Sequence, residues 1–290
     1  VNSMSEKLFE VLKRASLFLE KQNREPRVAE ILLQHHLKIN RSQFFMMMQE
    51  PINPNVIKRF EQDLERHAKT GVPVQHLTGS EEFYGRTFHV NEHVLIPRPE
   101  TEELVLHVTN LVQEYFPNQP ITIADIGTGS GIIATTLALE LSQANVFASD
   151  ISEKALQVAR KNASNLHAEV SFLQGDFLQP FIDEGKEMDI LVSNPPYIAK
   201  SEEELLSDTV KNFDPELALF ADEEGLAAYR RIIQQAKRIS PLQALVFEIG
   251  HTQSDAIHQL IKAAFPTSMV KTIKDINGKD RIVSAVLKSN

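Results

Sequence analysis

The 290-residue chain carries a formal net charge of −9, 42% hydrophobic and 24% charged residues, and no cysteine, and it is long enough for two domains with a sizeable core. The lack of cysteine excludes disulfides and thiolate metal sites, and the acidic balance argues against a nucleic-acid backbone as partner, which calls for a basic stripe. No apolar run approaches the ~18 residues of a membrane span, and no basic segment followed by an apolar run marks a leader, so a cytoplasmic protein without a membrane partner is expected.

Helical periodicity runs from residue 5 to about residue 70. Leu8, Val11, Leu12 and Ala15 share one helix face, and Val28, Ile31, Leu32 and His35 share another. A further helix is predicted over residues 55–69. Pro26, Pro51 and Pro54 punctuate these segments, and glycine is absent before Gly71. Residues 1–75 therefore read as a small helical bundle of three to five helices. Within it, Phe44-Phe45-Met46-Met47-Met48 is either bundle core or an adaptable, Met-rich surface for a partner. The character changes over residues 76–98. Residues 83–90 and 94–97 read as two short strands around Asn91-Glu92-His93, a hairpin linking the bundle to a second domain over residues 99–290.

In that second domain helices and strands alternate. Helices are predicted over 100–116, 132–141, 153–164, 223–239 and 252–265, and strands over 121–126, 145–149, 170–173, 189–192 and 244–249. Such alternation implies an α/β fold with a parallel sheet covered on both faces. At the end, strands over 269–275 and 281–287 flank Asn277-Gly278, a strong hairpin signal. A parallel sheet that finishes in an antiparallel hairpin is the seven-stranded, Rossmann-like methyltransferase plan rather than the six-stranded dinucleotide plan.

The first strand of this sheet ends in Asp125-Ile126-Gly127-Thr128-Gly129-Ser130-Gly131, and a helix opens at Ile132. Glycines let the backbone turn sharply and approach a ligand, and the free N–H groups of the helix start favour a polar or anionic group. A dinucleotide fingerprint would require glycine at position 132, which is Ile, and no Lys-Ser/Thr pair completes a P-loop. The G-x-G-x-G spacing instead suits S-adenosylmethionine. The second strand ends at Asp150, whose carboxylate can accept from both ribose hydroxyls while also capping the next helix. The third ends in Gly175-Asp176-Phe177, where Asp176 can accept from an adenine amino group or Phe177 can pack on its ring. All three lie at the carboxyl ends of adjacent strands, where ligands bind in open α/β sheets.

The fourth strand stops at Asn194-Pro195-Pro196-Tyr197, on the same rim. Prolines cannot continue a central strand, so the motif has another purpose. The Asn194 side-chain oxygen and the Pro195 backbone oxygen can accept both hydrogens of a planar –NH₂ and stabilise positive charge growing on its nitrogen. The prolines hold those oxygens rigid, and Tyr197 can lie flat on the planar group. Such a site suits a side-chain amide or a nucleobase amino group. The ten histidines are scattered, with no i, i+4 pair beside carboxylates, so no metal site is expected.

Taken together, the sequence resembles the release factor glutamine methyltransferases over nearly its whole length. The resemblance rests on the helical N-terminal segment, Leu95-Ile96-Pro97-Arg98-Pro99-Glu100-Thr101-Glu102, the 127–131 loop, Asn194-Pro195-Pro196-Tyr197, and Asp214-Pro215-Glu216-Leu217-Ala218-Leu219 before Gly225-Leu226. Asp214 stands where the family more often has Glu. Asn-Pro-Pro-Tyr alone is shared with adenine N6 methyltransferases, so a DNA or RNA amino-group methyltransferase is the alternative. The resemblance implies transfer of a methyl group from S-adenosylmethionine to the glutamine amide of the Gly-Gly-Gln motif in peptide-chain release factors. It implies that Asn194, Pro195, Pro196 and Tyr197 bind that glutamine. Gly127, Thr128, Gly129, Ser130, Gly131, Asp150, Asp176 or Phe177, and Asn194 would line the cofactor, with the Thr101 hydroxyl close to it. The N-terminal bundle would dock the release factor, and a monomer is expected.

Overall fold

The computed structural model describes residues 6–287. They fall into two compact units, one of residues up to Gly79 with Ser207–Phe213, the other of Ser80–Leu206 with the chain from Asp214 onward. Among the described residues, no helix is long and apolar enough to cross a membrane.

The first unit holds α1 (Leu8–Lys21), α2 (Arg27–Leu37), α3 (Arg41–Met46), α4 (Pro54–Thr70) and α5 (Val74–Thr78). Their boundaries follow local chemistry. Asn40 and Gln43 exchange side chain-to-backbone bonds of 2.9 Å at the start of α3, a reciprocal capping box. Pro54 opens α4, where its missing N–H costs nothing, and left-handed Gly71 closes it. Leu8, Val11, Leu19, Leu32, Leu33, Phe44 and Phe60 form the core of this unit. The 44–48 stretch is split between the two expected uses. Phe44 is fully buried and Met47 and Met48 pack on the core, while Phe45 and Met46 are exposed.

The second unit begins with the hairpin β1 (Ser80–Phe83) and β2 (Arg86–His89). Its turn is Tyr84-Gly85, both with positive φ, the backbone that two-residue hairpins require. The expected strand over 94–97 is absent. Aromatic residues on both sides of Tyr84-Gly85 made the run look like one strand, whereas Gly85 folds it back on itself. Val94 and Ile96 are buried without strand structure.

The chain then runs through α6 (Glu100–Tyr115), β3 (Ile121–Ile126), α7 (Ile132–Glu140), β4 (Ala144–Asp150), α8 (Glu153–Asn165), β5 (Val170–Gln174), α9 (Gln179–Asp183) and β6 (Ile190–Ser193). Next come β7 (Ile198–Ala199), a 3₁₀ turn (Lys200–Leu205), α10 (Asp208–Phe213, part of the first unit), α11 (Glu216–Leu219), β8 (Phe220–Ala221) and α12 (Asp222–Gly225). The last elements are α13 (Ala227–Ala236), β9 (Ala244–Glu248), α14 (Ser254–Ala264), β10 (Met269–Lys274) and β11 (Asp280–Val286). The helix predicted over 223–239 is thus two, separated where Gly225 takes a φ of 83°.

The seven-stranded sheet has the order β10-β11-β9-β6-β3-β4-β5. Its pairs from β9 to β5 are parallel, and β11 runs antiparallel to both β9 and β10. Every residue of β6 and β9 is buried, as expected of strands covered on both faces. One face packs Leu104, Val108 and Leu137, and the other Tyr229, Ile232 and Ile257. Strand order reverses at β3, which lies between β4 and β6, so the crevice of the topological switch opens at the carboxyl ends of these strands.

Candidate active site

The glycine loop between β3 and α7 divides its glycines between two uses. Gly127, Gly129 and Gly131 all have positive φ, a backbone costly for other residues. A Cβ on Gly131 would lie 2.8 Å from the Cβ of Ala159, so this glycine lets the loop pack on α8. A Cβ on Gly127 or Gly129 would meet no protein atom within 4 Å. Those two positions leave room for a ligand. Asn162 of α8 braces the loop, its amide donating to the carbonyls of Ser130 and His89 at 2.9 Å and accepting from the His89 N–H at 2.7 Å. The hairpin and the loop are thereby tied through one buried side chain.

Asp125, the penultimate residue of the apolar strand β3, is fully buried. One carboxyl oxygen accepts from the Thr128 hydroxyl at 2.6 Å and from the Ala134 N–H at 3.2 Å, fixing both ends of the loop. Burial pushes its pKa up to about 7 despite these bonds. Asp150, at the end of β4, accepts from the Gly129 N–H and the Ser152 N–H, each at 2.9 Å. Burial raises its pKa too. Each carboxylate oxygen has a second lone pair, so these bonds leave acceptor capacity toward the cavity.

After β5, Asp176 pairs with Arg231, and Phe177 adopts a left-handed backbone. Gln235 of α13 holds this corner, accepting from the Leu178 N–H at 2.9 Å and donating to the Asp176 carbonyl at 3.3 Å. The Ser149 hydroxyl donates to the Phe177 carbonyl at 2.8 Å.

Asn194-Pro195-Pro196-Tyr197 leaves β6 and is pinned at its far end by three features. Gln253 donates to the Tyr197 carbonyl at 2.9 Å. Gly225 presses against the same carbonyl, where an added Cβ would come within 2.1 Å. The short parallel pairing of β7 with β8 follows at once. Behind Asn194, its amide nitrogen faces the Thr101 hydroxyl at 3.5 Å, and Thr101 donates to Glu248 at 2.8 Å. Burial pushes Glu248 up to about 7. Tyr197 is held above its ordinary pKa by burial and then by Glu248.

A cavity of about 510 Å³ lies on this rim, a size usual for small-molecule sites. Thr101, Gly127, Thr128, Gly129, Ser130, Asp150, Asp176, Phe177, Asn194 and Pro196 border it. Of the residues expected from the sequence, Gly131, Pro195 and Tyr197 do not. Gly131 serves loop packing, and Tyr197 packs partly buried against the core of Tyr229 and Phe247. Arg98 also borders the cavity and pairs with the buried Asp214 at 2.7 Å, joining the two ends of the 95–102 and 214–219 motifs. Asp125, Glu248, Asn162 and Gln253 are site residues to which the sequence alone assigns no role. The first two carried a readable signal, a single carboxylate within an otherwise apolar strand, Ile121-Thr122-Ile123-Ala124-Asp125-Ile126 and Ala244-Leu245-Val246-Phe247-Glu248.

Comparison with known proteins points one way. Residues 10–79 match the family model of the PrmC N-terminal domain, and residues 105–215 that of the Methyltransferase small domain. A release factor glutamine methyltransferase of Bacillus subtilis (strain 168) is 46% identical over 98% of this chain and 99% of its own length. Those of Bacillus cereus and Staphylococcus aureus are 44% identical over 97% and 100%, and 42% identical over 88% and 90%, of the two chains. Among solved structures, the catalytic domain of hMettl16 in complex with MAT2A 3′UTR hairpin 6 shares the fold at a TM-score of 0.53 and 16% identity, covering 82% of this chain and 84% of that one. The N-terminal domain of human METTL16 in complex with SAH does so at 0.52 and 15% identity, covering 90% and 94%.

Proposed function

This chain belongs to the release factor glutamine methyltransferases, and from that premise we propose how its rim performs methyl transfer from S-adenosylmethionine to the side-chain amide of the glutamine in the release-factor Gly-Gly-Gln motif. The observation that carries the reading is the convergence of residues 127–130, Asp150 and Asn194 on one cavity.

The residues present fit S-adenosylmethionine. Gly127 and Gly129 leave open space, the loop starts a helix, and carboxylates stand at the ends of β4 and β5. Asp150 would hold the ribose hydroxyls, Asp176 or Phe177 the adenine, and the 127–131 backbone the methionine end. When bound, the cofactor supplies an electrophilic methyl group on a sulfonium sulfur.

The chain's own residues then solve a specific problem. An amide nitrogen is a poor nucleophile because its lone pair is delocalised into the carbonyl. Asn194 Oδ1 and the Pro195 carbonyl accept its two N–H hydrogens, which fixes its direction and stabilises the positive charge that grows on it. Pro195 and Pro196 keep those oxygens from relaxing, and the part of the Tyr197 ring that the core leaves uncovered would offer a flat face to the amide plane. No strong base is required, because the N–H proton becomes acidic once the nitrogen carries the methyl and leaves to water.

The helical first unit is assigned to docking the release factor, with exposed Phe45 and Met46 as its contact. Replacing both by Ser should raise KM for intact factor and leave KM for a Gly-Gly-Gln peptide unchanged. Equal effects on both substrates would remove the assignment. The enzyme is expected to act as a monomer in the cytoplasm on protein alone. The test of the reaction supplies labelled S-adenosylmethionine with release factor, DNA or RNA in separate arms. Label should enter the release factor; label entering nucleic acid instead would make this an amino-group methyltransferase of nucleobases.

A further inference from the structure

Thr101 on α6, Asn194 after β6 and Glu248 at the end of β9 meet behind the cavity wall. Thr101 and Glu248 are 1% and 2% exposed, so no solvent decides how their hydrogens are shared. The Thr101 hydroxyl donates to Glu248 Oε2 at 2.8 Å. A hydroxyl has one hydrogen, and an ionised carboxylate has none. Thr101 therefore faces Asn194 with lone pairs only, and takes an N–H from Asn194 Nδ2 at 3.5 Å. The Asn194 amide also favours the charged form of the Glu248 carboxyl. Thr101, its one hydrogen committed to Glu248, demands the NH₂ end of the Asn194 amide, and the Glu248 charge favours the same end. Its oxygen is left for the cavity side.

We infer that Glu248, with Thr101, is the positioning residue that sets which end of the Asn194 amide meets the substrate. The inference rests on the reading that Asn194 Oδ1 accepts a substrate N–H. With the amide turned over, its two N–H donors would face the substrate's own N–H groups, and the site would repel the nitrogen it has to hold. The Glu248 charge acts in the same sense. Buried behind Asn194, it favours positive charge developing on the cavity side, in surroundings where water screens little.

The groups facing Glu248 come from several elements. Arg281 of β11 lowers its pKa and Glu100 of α6 raises it, while Thr101 and Asn194 stabilise its charged form, and the Tyr197 phenol after β6 also faces it. Tyr229 of α13 donates to the Glu248 backbone carbonyl at 2.7 Å. Asp275, in the bend between β10 and β11, holds Arg281 at 3.1 Å. Burial outweighs the stabilising partners and leaves the carboxyl at about 7. Protonated, Glu248 gains an O–H to donate, the demand for the NH₂ end is lost, and Asn194 can turn over. The rate should therefore rise as pH increases through about 7. Asp125 has the same value, so the limb in the wild-type enzyme does not by itself identify its owner, whereas its loss in a Glu248 variant does.

The experiment measures single-turnover methylation of a release factor against pH, with S-adenosylhomocysteine affinity by calorimetry, for five variants beside the wild type. Glu248→Gln should lower the saturated rate about 10- to 100-fold, less than outright loss of a preorganised group, with cofactor affinity retained and the limb near pH 7 gone. In an Asn194→Ala background, Glu248→Gln should cost almost nothing more, because it acts through Asn194. Thr101→Ser should keep more activity than Thr101→Val, and this pair decides the matter if Glu248→Gln does not fold. A wild-type rate and limb in Glu248→Gln, or losses that multiply in the double variant, would overturn the inference. So would equal rates for the two Thr101 variants. A wild-type rate in Asn194→Ala is a different outcome, since it removes the reading of Asn194 itself.

Discussion

Replacing Gly225 by Ala is expected to damage turnover far more than stability. Gly225 has a φ of 83°, so any L side chain there costs about 1–2 kcal/mol of backbone strain. The larger effect is positional. The new Cβ would stand 2.1 Å from the Tyr197 carbonyl oxygen and 2.6 Å from Gln253 Nε2. A carbon–oxygen contact relaxes at about 3.4 Å, so the carbonyl must move by roughly 1.3 Å or the 222–225 helix must lift by as much. That carbonyl closes the Asn194-Pro195-Pro196-Tyr197 motif and is the acceptor of Gln253. A shift of about 1 Å in a positioning group costs on the order of 10²-fold in rate. The assay is single-turnover methylation at saturating cofactor, beside denaturant unfolding. Gly85→Ala is the control. It has the same left-handed backbone, at φ 71°, with no atom within 4 Å of the new Cβ, so it should lose the strain energy alone and turn over normally. Equal turnover in Gly225→Ala and Gly85→Ala would refute the view that Gly225 positions the motif.

Other consequences are as open to measurement. Asn162→Ala deletes three bonds of a buried amide and should cost about 3 kcal/mol in unfolding free energy; a loss under about 1 kcal/mol would show that the hairpin and loop hold together without it. Asp125 has its folded pKa raised from 3.8 to about 7, so its neutral form favours the fold below the unfolded value and that contribution is lost as pH rises through the folded one. Relative to Asp125→Asn, the wild type should lose on the order of 4 kcal/mol between pH 4 and pH 8, and a pH-independent difference would place Asp125 in a more solvated setting than the structure does. Asp150→Ala should raise the dissociation constant for S-adenosylhomocysteine by about 10- to 100-fold, the worth of one charged hydrogen bond; unchanged affinity by calorimetry would remove Asp150 from the cofactor site.

How far the fold could be read varied with the kind of signal. The sheet strands were legible because each is a short apolar run bounded by turn chemistry, and because Asn277-Gly278 marks the final hairpin. The first hairpin was displaced because Tyr84-Gly85 is flanked by aromatic residues that continue the strand pattern on both sides. In the segment from 198 to 225 the 214–219 motif was legible but the secondary structure was not. Strands β7 and β8 have two residues each, too few for any periodicity, and they pair across the intervening residues 200–219. At the site, the glycine spacing and the strand-end residues were visible as local patterns. Thr101 and Glu248 work through partners on distant elements, so their directions of hydrogen bonding exist only in three dimensions.

The central claim is that the Asn194 to Tyr197 rim holds a glutamine amide for methylation. The most direct measurement incubates the enzyme with a release factor and S-adenosylmethionine, then locates the methyl group by mass analysis of peptides, with a second factor in which the Gly-Gly-Gln glutamine is replaced by Glu. A single methyl on that glutamine side chain, absent from the Glu-bearing factor and formed on the order of 10²- to 10³-fold more slowly by Asn194→Ala, is the predicted result. Methyl transfer to another residue, or undiminished transfer to the Glu-bearing factor, would contradict it.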